Sequence, residues 1–250
     1  MASDKQIILV TGANSGIGYD TSYALADASP NNHVIMAARN QAKGEKALNG
    51  LQARKPQGTL SLIILDVSKD DTIEAAATKI KADFGRLDVL VNNAGIVTPD
   101  PTTRESLHTA FDTNVFGAAL LADAVNSLLR ASKSPKIINV SSVMGSITLM
   151  MDPTDPYRHM IAEVYRMTKA ALNMLTACQH AKLQDIGGTA WTFCPGYVVT
   201  DIGGDIESRK NQGFAESPET SAKGILEIVE GKRDSDVGRF VTKYDKVLPW

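Results

Sequence analysis

The chain has 250 residues, 43% hydrophobic and 22% charged, with a formal net charge of −2. These are ordinary values for a soluble globular protein, and they give no electrostatic case for nucleic acid or an anionic membrane as partner. The first residues lead straight into an apolar strand without signal-peptide anatomy, no apolar run reaches the length of a membrane span, and Cys178 and Cys194 form neither a Cys-x-x-Cys pair nor a disulfide framework, so the expected compartment is the cytoplasm.

Short β-branched runs predict strands at 7–10, 33–37, 60–65, 89–91, 136–140, 189–194 and 239–242. Between them, helical periodicity predicts helices at 16–28, 41–53, 70–84, 104–130, 162–184 and 218–230. Strands separated by helices imply right-handed crossovers and a parallel sheet covered on both faces. The expectation is one doubly wound α/β domain of about seven strands spanning 1–250. Two segments break the alternation, an inserted loop at 143–161 and a second loop at 203–217. Both follow strand ends on the side where such folds bind ligands.

The first strand runs into Thr11-Gly12-Ala13-Asn14-Ser15-Gly16-Ile17-Gly18, which opens the first helix. Glycines there permit a tight turn and close approach of backbone to a pyrophosphate, and the helix N-terminus offers free N–H groups. A glycine-rich turn also serves as a plain βα loop; the strand before it and the helix after it favour the dinucleotide reading. After the second strand, the place of an acidic ribose ligand is taken by Ala38, followed by Arg39. A guanidinium can pair with a 2′-phosphate that a carboxylate would repel, so the expected cofactor is NADP(H).

Tyr165 and Lys169 stand one helical turn apart and project from one face. A free tyrosine titrates near 10, and a nearby cation favours phenolate, which makes the pair a tunable acid/base. Four further signatures fall in order: Asn92-Asn93-Ala94-Gly95, Asn114, Asn139-Val140-Ser141-Ser142 and Pro195-Gly196. Together these closely resemble the short-chain dehydrogenase/reductase family over the whole chain, which implies a Rossmann-type fold. The Ala38-Arg39 pair and the Leu-Pro-Trp ending look most like NADPH-dependent carbonyl reductases of fungal ketoreductase type.

The resemblance implies a catalytic set of Asn114, Ser142, Tyr165 and Lys169; Ser142 rather than Ser141, because it immediately precedes Val143-Met144-Gly145. It also implies that Asp66, with Val67 beside it, contacts the adenine. Asn93, Ala94 and Gly95 would line the ribose region, and Pro195, Gly196, Val198 and Thr200 the nicotinamide. The implied function is reduction of a carbonyl substrate; an alcohol dehydrogenase working oxidatively and a catalytically inactive dinucleotide-binding regulator are the alternatives. Tyr165 follows Ser142 by 23 residues, a longer gap than the family's usual one, and the surplus is the 143–161 loop.

Apolar residues of that loop, Val143, Ile147, Leu149, Met150, Met151 and Tyr157, face a second set after Pro195-Gly196, namely Tyr197, Ile202, Ile206 and Phe214. They suggest a lid over an uncharged hydrophobic small-molecule ketone or aldehyde. The wide apolar arc of 104–130 and the Ala170, Ala171, Met174 and Cys178 side of the Tyr165 helix suggest a homodimer or homotetramer; the alternative is a monomer in which the 143–161 loop or the C-terminal tail covers this surface. Met167, Met174 and Cys178 read as core or subunit contact, Trp191 as core. The four scattered histidines give no metal-ligand spacing, and no metal is expected.

Overall fold

The computed structural model describes residues 5–98, 101–202 and 215–250. In chain order the strands among them are β1 (Gln6–Thr11), β2 (Asn32–Ala38), β3 (Thr59–Ile64), β4 (Val89–Asn92), β5 (Lys136–Val140), β6 (Thr189–Cys194), β7 (Phe240–Thr242) and β8 (Val247–Leu248). They form one sheet in the order β3-β2-β1-β4-β5-β6-β7-β8. Neighbours from β3 to β7 pair in parallel, and β8 returns antiparallel to β7. The eighth strand is the one the hydrophobic pattern does not predict; two residues are too few to show a period.

The helices are α1 (Gly16–Asp27), α2 (Gln41–Ala53), α3 (Asp70–Phe84), α4 (Arg104–Phe111), α5 (Gly117–Ala124), α6 (Asn126–Arg130), α7 (Ile147–Met151), α8 (Glu163–Leu183) and α9 (Pro218–Val229). Their ends follow local chemistry. Asn40 caps α2 by accepting from the Lys43 N–H, Thr103 and Ser106 form a reciprocal capping box on α4, and Ser217 caps α9 with Pro218 in its first turn.

Alternate residues of the buried strands feed two cores. Ile7 and Leu9 pack with Ile73, Ile80, Leu121 and Leu128 on one face; Ile8 and Val10 pack with Leu25, Leu51, Trp191 and Ile225 on the other. Trp191 is core, as the sequence suggests. Period-2 side-chain alternation on strands covered from both sides produces this division. Strand order reverses between β1 and β4, so the crossovers diverge there and open a crevice at the C-terminal ends of the strands.

The sequence predicts one helix over 104–130; the structure breaks it. Asp112–Phe116 forms a π-turn, and Val125 separates α5 from α6. The cause of the π-turn lies in tertiary contacts. Asn114 exchanges two hydrogen bonds with the backbone of Ile96, at 2.8 and 2.9 Å, and donates to Thr168 at 3.0 Å. A π-turn in an α-helix often marks a functional position. The 143–161 segment is likewise more ordered than a loop: it holds a 3₁₀ turn at Val143–Gly145 and then α7, capped by the Ser146 hydroxyl. Most of 203–217, with Ile206 and Phe214, lies outside the described residues.

Candidate active site

The catalytic candidates meet at the crevice between β4, β5 and α8. Lys169 is 3% exposed, and its ammonium donates to the Val140 carbonyl at 2.8 Å. Its Nζ stands 5.4 Å from the centre of the Tyr165 ring. Burial pulls the Lys169 pKa down from 10.5 to about 8, against a smaller opposing pull from Cys194. Asn114 is fully buried in the π-turn and tied, through Thr168, to the turn of α8 between Tyr165 and Lys169. A methyl added at Gly95 would lie 3.3 Å from Asn114 Oδ1 and 3.6 Å from Lys169 Nζ, so both polar ends face the Asn93–Gly95 turn. Ser142 comes two residues after Val140, half-buried, its hydroxyl accepting from the Met144 N–H at 3.2 Å.

The glycine turn forms a cradle with no space for side chains. Gly12 takes φ +63°, and a Cβ at Gly18 would sit 2.4 Å from the Gly12 carbonyl oxygen. Thr11 knits this turn to the β4 end: its hydroxyl accepts from the Asn93 and Ala94 N–H groups at 3.0 Å each. Ser15 stands at the N-cap of α1 yet does not cap it; its hydroxyl points to Asp201, 3.3 Å away. The first-turn N–H groups of α1 therefore stay available to an anion. Asn14 and Ile17 are half-buried in the same turn, and the Thr200 methyl packs over Gly16. The Ala13 N–H bonds Ala37 O at 2.9 Å, which brings the turn beside the end of β2, where Arg39 is exposed. Asp66 follows β3 with its carboxylate accepting from Ser68, and Val67 is buried next to it. Pro195 and Gly196 leave β6 with φ +77° at the glycine, and Val198 pairs with Glu216 in a short bridge that closes the base of the 203–217 segment.

Of the residues expected on the substrate side, Tyr157 and Tyr197 are both half-buried. Burial raises the Tyr157 and Cys194 pKa values, so both groups stay neutral. The Val143 N–H donates to the Cys194 sulfur at 3.2 Å, which brings the loop start against β6. Ile202 is half-buried. Met150 and Met151 are not drawn into the body: both are exposed, Met151 at 75%. Met167, Met174 and Cys178 are exposed as well, which corrects the core reading of that face. Six of the apolar residues predicted to lie on a wide arc, Ala118, Leu121, Ala122, Val125, Leu128 and Leu129, are buried against the body.

Sequence reasoning misses four contributors. Arg166 reaches the carbonyls of Met144, Tyr157 and Met160 and so fastens the inserted segment to α8. Tyr244 donates to Glu216, which also pairs with the buried Lys243 at 3.1 Å. Lys243 and Tyr244 come from the stretch between β7 and β8, whose placement no pattern announces. The one signal for Arg166 in the sequence is its adjacency to Tyr165, as a cation on the catalytic helix. Among the described residues no His, Cys, Asp and Glu group could hold a metal ion, and no helix is long and apolar enough to cross a membrane.

Residues 6–211 match the family model described as short chain dehydrogenase. The short-chain dehydrogenase/reductase tropE of Talaromyces stipitatus is 32% identical over 99% of each chain. The short-chain dehydrogenase anuI of Penicillium roqueforti is 36% identical over 96% of this chain and 95% of its own. Among solved structures, NADPH-bound carbonyl reductase from chicken fatty liver shares the fold at a TM-score of 0.84 and 29% identity, each chain wholly covered. A metagenomic short-chain oxidoreductase in complex with NADP gives 0.71 at 26% identity, over 91% and 92% of the two chains. The tyrosine–lysine pair and the glycine turn thus meet in a crevice of a sheet shared nearly end to end with these proteins, and the chain belongs to the short-chain dehydrogenase/reductase family.

Proposed function

We propose that this oxidoreductase is an NADPH-dependent carbonyl reductase acting on an uncharged, hydrophobic ketone or aldehyde, with Tyr165 as general acid. One observation carries the reading: Asn114 Oδ1 and Lys169 Nζ both lie within 4 Å of the point where a Cβ at Gly95 would sit, and the Tyr165 ring centre is 5.4 Å from that same ammonium. The turn suits a dinucleotide, because Gly12 and Gly18 pack against one another and against Asn93 and Ala94 too closely for a Cβ, and the Ser15 hydroxyl leaves the α1 N-terminus uncapped. Gly12 to Gly18 would hold the pyrophosphate and Arg39 the 2′-phosphate. Asp66 would meet the adenine, and Asn93, Lys169, Val198 and Thr200 the ribose and nicotinamide end. The cofactor, when bound, supplies the hydride.

Tyr165 gives a proton to the carbonyl oxygen as negative charge grows there. Ser142 donates a hydrogen bond to the same oxygen, an interaction that strengthens towards the transition state. Lys169, positively charged below about pH 8, favours the phenolate left on Tyr165 and replenishes its proton. Asn114 keeps one lone pair of Oδ1 beyond the bond to Ile96, enough to hold a water between itself and Lys169. The bound carbonyl reductase and oxidoreductase structures support the choice of cofactor, and Arg39 is the residue of this chain that agrees with it. The exposed Phe116, Leu120, Met167 and Met174 support assembly as a homodimer or homotetramer. Following NADPH absorbance across a panel of carbonyl compounds tests the function. Binding of NADPH without turnover of any of them would favour the regulator instead.

A further inference from the structure

Helix α8 is keyed to β5 and the turn after it by polar contacts at successive levels. Asn173 lies one turn beyond Lys169 and two beyond Tyr165, on the same face. It is buried, its Oδ1 accepts from the Ser141 hydroxyl at 2.5 Å, and its Nδ2 donates to the Gly145 carbonyl at 3.2 Å. Further along, Asn139 donates to Thr176 at 2.8 Å and Gln179 at 2.7 Å. From Asn173 to those two residues the helix advances between about 4.5 and 9 Å. From Ser141 back to Asn139 the strand advances about 6.6 Å. Helix and strand therefore present their polar groups in matching register.

Ser142 lies inside the grip of Asn173, which holds the residue before it and the end of the turn after it. Gly145 makes the fit tight: a Cβ there would lie 2.7 Å from the main-chain carbon of Lys169 and 2.8 Å from its Cβ. The turn rests flush on the segment of α8 that carries Lys169, and Ser142 orients itself within that turn through Met144.

We infer that Asn173 is a positioning residue for the reaction: by clamping Ser141 and Gly145 it sets the Ser142 hydroxyl against Tyr165. The inference rests on Ser142 and Tyr165 sharing the carbonyl oxygen, as proposed above. Asn173→Leu leaves the Gly145 carbonyl unpaired inside the protein, leaves the Ser141 hydroxyl only its 3.4 Å contact to the Lys169 carbonyl, and lets the turn relax. A displacement of about 1 Å at a reacting group can cost as much as 10²-fold in rate.

The test is a double-mutant cycle in steady state, with NADPH and 1-phenyl-1,2-propanedione as the probe. Asn173→Leu is expected to lower kcat about tenfold while the KM for NADPH stays within about twofold. In a Ser142→Ala background the same change should cost less than about twofold, because the group it positions is gone. Ser141→Ala removes the bond to Asn173, and the weaker contact to the Lys169 carbonyl, while leaving the Asn173–Gly145 bond in place, and it should show the same dependence on Ser142 even if Asn173→Leu does not fold. A full kcat loss from both clamp variants in the Ser142→Ala background overturns the inference alone. A Ser142→Ala enzyme with wild-type kcat overturns the catalytic reading of Ser142 and the inference with it.

Discussion

The Lys169 ammonium donates to the main-chain oxygen of Val140 at 2.8 Å and stands 5.4 Å from the centre of the Tyr165 ring. A dry cation held by a carbonyl dipole is costly to bury, and the cost appears as a pKa of about 8. The benefit is positional: the charge stays beside the Tyr165 ring.

That cost predicts a pH dependence of stability for the cofactor-free enzyme. Below about pH 8 Lys169 is charged in both the folded and the unfolded chain, and the folded state bears the whole penalty, on the order of 3 kcal/mol. Between about 8 and 10.5 the folded chain has released the proton while the unfolded chain still binds it, so stability rises with pH through that window. Lys169→Met lacks the titration. Its stability advantage over wild type in urea melts should therefore be larger at pH 7 than at pH 10. An advantage that does not change with pH would contradict a desolvated ammonium.

Tyr165→Phe should nearly abolish turnover while NADPH still binds. The substitution removes only the phenolic hydroxyl, the proton donor, a contribution worth about 10²–10⁴ in rate. Binding is read by quenching or enhancement of NADPH fluorescence, turnover by absorbance. Retention of more than about a tenth of the wild-type kcat would remove Tyr165 from its role as acid.

Much of this site is legible in the amino-acid sequence. The glycine turn, the asparagine signatures and Tyr165-x-x-x-Lys169 carry their chemistry in local spacing, and strand–helix alternation gives the sheet. The π-turn at Asp112–Phe116 is not legible, because Asn114 makes it by bonding Ile96, 18 residues away in the chain. The Arg166 clamp depends on main-chain carbonyls, which every residue has, so no side-chain pattern marks its partners. Tyr244 and β8 come from a short C-terminal return whose placement is set by pairing with β7. The exposure of Met174 is not legible either: a Met among small residues on a helix suits a core and a subunit contact equally well.

Cofactor choice should follow Arg39. NADPH is expected to be preferred over NADH, and Arg39→Ala should erode the preference by raising the NADPH KM. Ala38→Asp should shift it towards NADH, since a carboxylate at the end of β2 repels a 2′-phosphate and can bond a 2′-hydroxyl. Equal kcat/KM for both cofactors in the wild type would refute this role for Arg39.

Assembly can be read in solution. The π-turn and α5 expose Phe116 and Leu120, and α8 exposes Met167 and Met174, the last at 67%. Apolar side chains on adjoining helices suit a two-fold contact in which the same helices of two copies pair. Light scattering at micromolar concentration should give two or four times the chain mass. A value of 26.8 kDa would establish a monomer, and Met174→Glu should then be without effect on the mass.

The inserted segment should select among ketones. It is held at several points: by Arg166 on the carbonyls of Met144, Tyr157 and Met160, by Ser146 donating to Pro249 O at 2.8 Å, and by the Thr148 N–H donating to Trp250 O at 2.9 Å. Those anchors are polar. Ile147 and the two methionines of α7 are not the anchors, for Ile147 is 68% exposed, Met150 40% and Met151 75%. A loop that needed its methionines for packing would bury them; exposed, flexible thioethers suit contact with a bulky hydrophobic substrate. Replacing Met150 and Met151 together by Ala should cost little stability, as surface changes usually do. It should raise the KM for bulky aryl ketones more than for small aliphatic ones, with circular dichroism unchanged. If instead the melting temperature falls and the relative kcat/KM values of the ketones stay the same, the segment is structural and the lid reading fails.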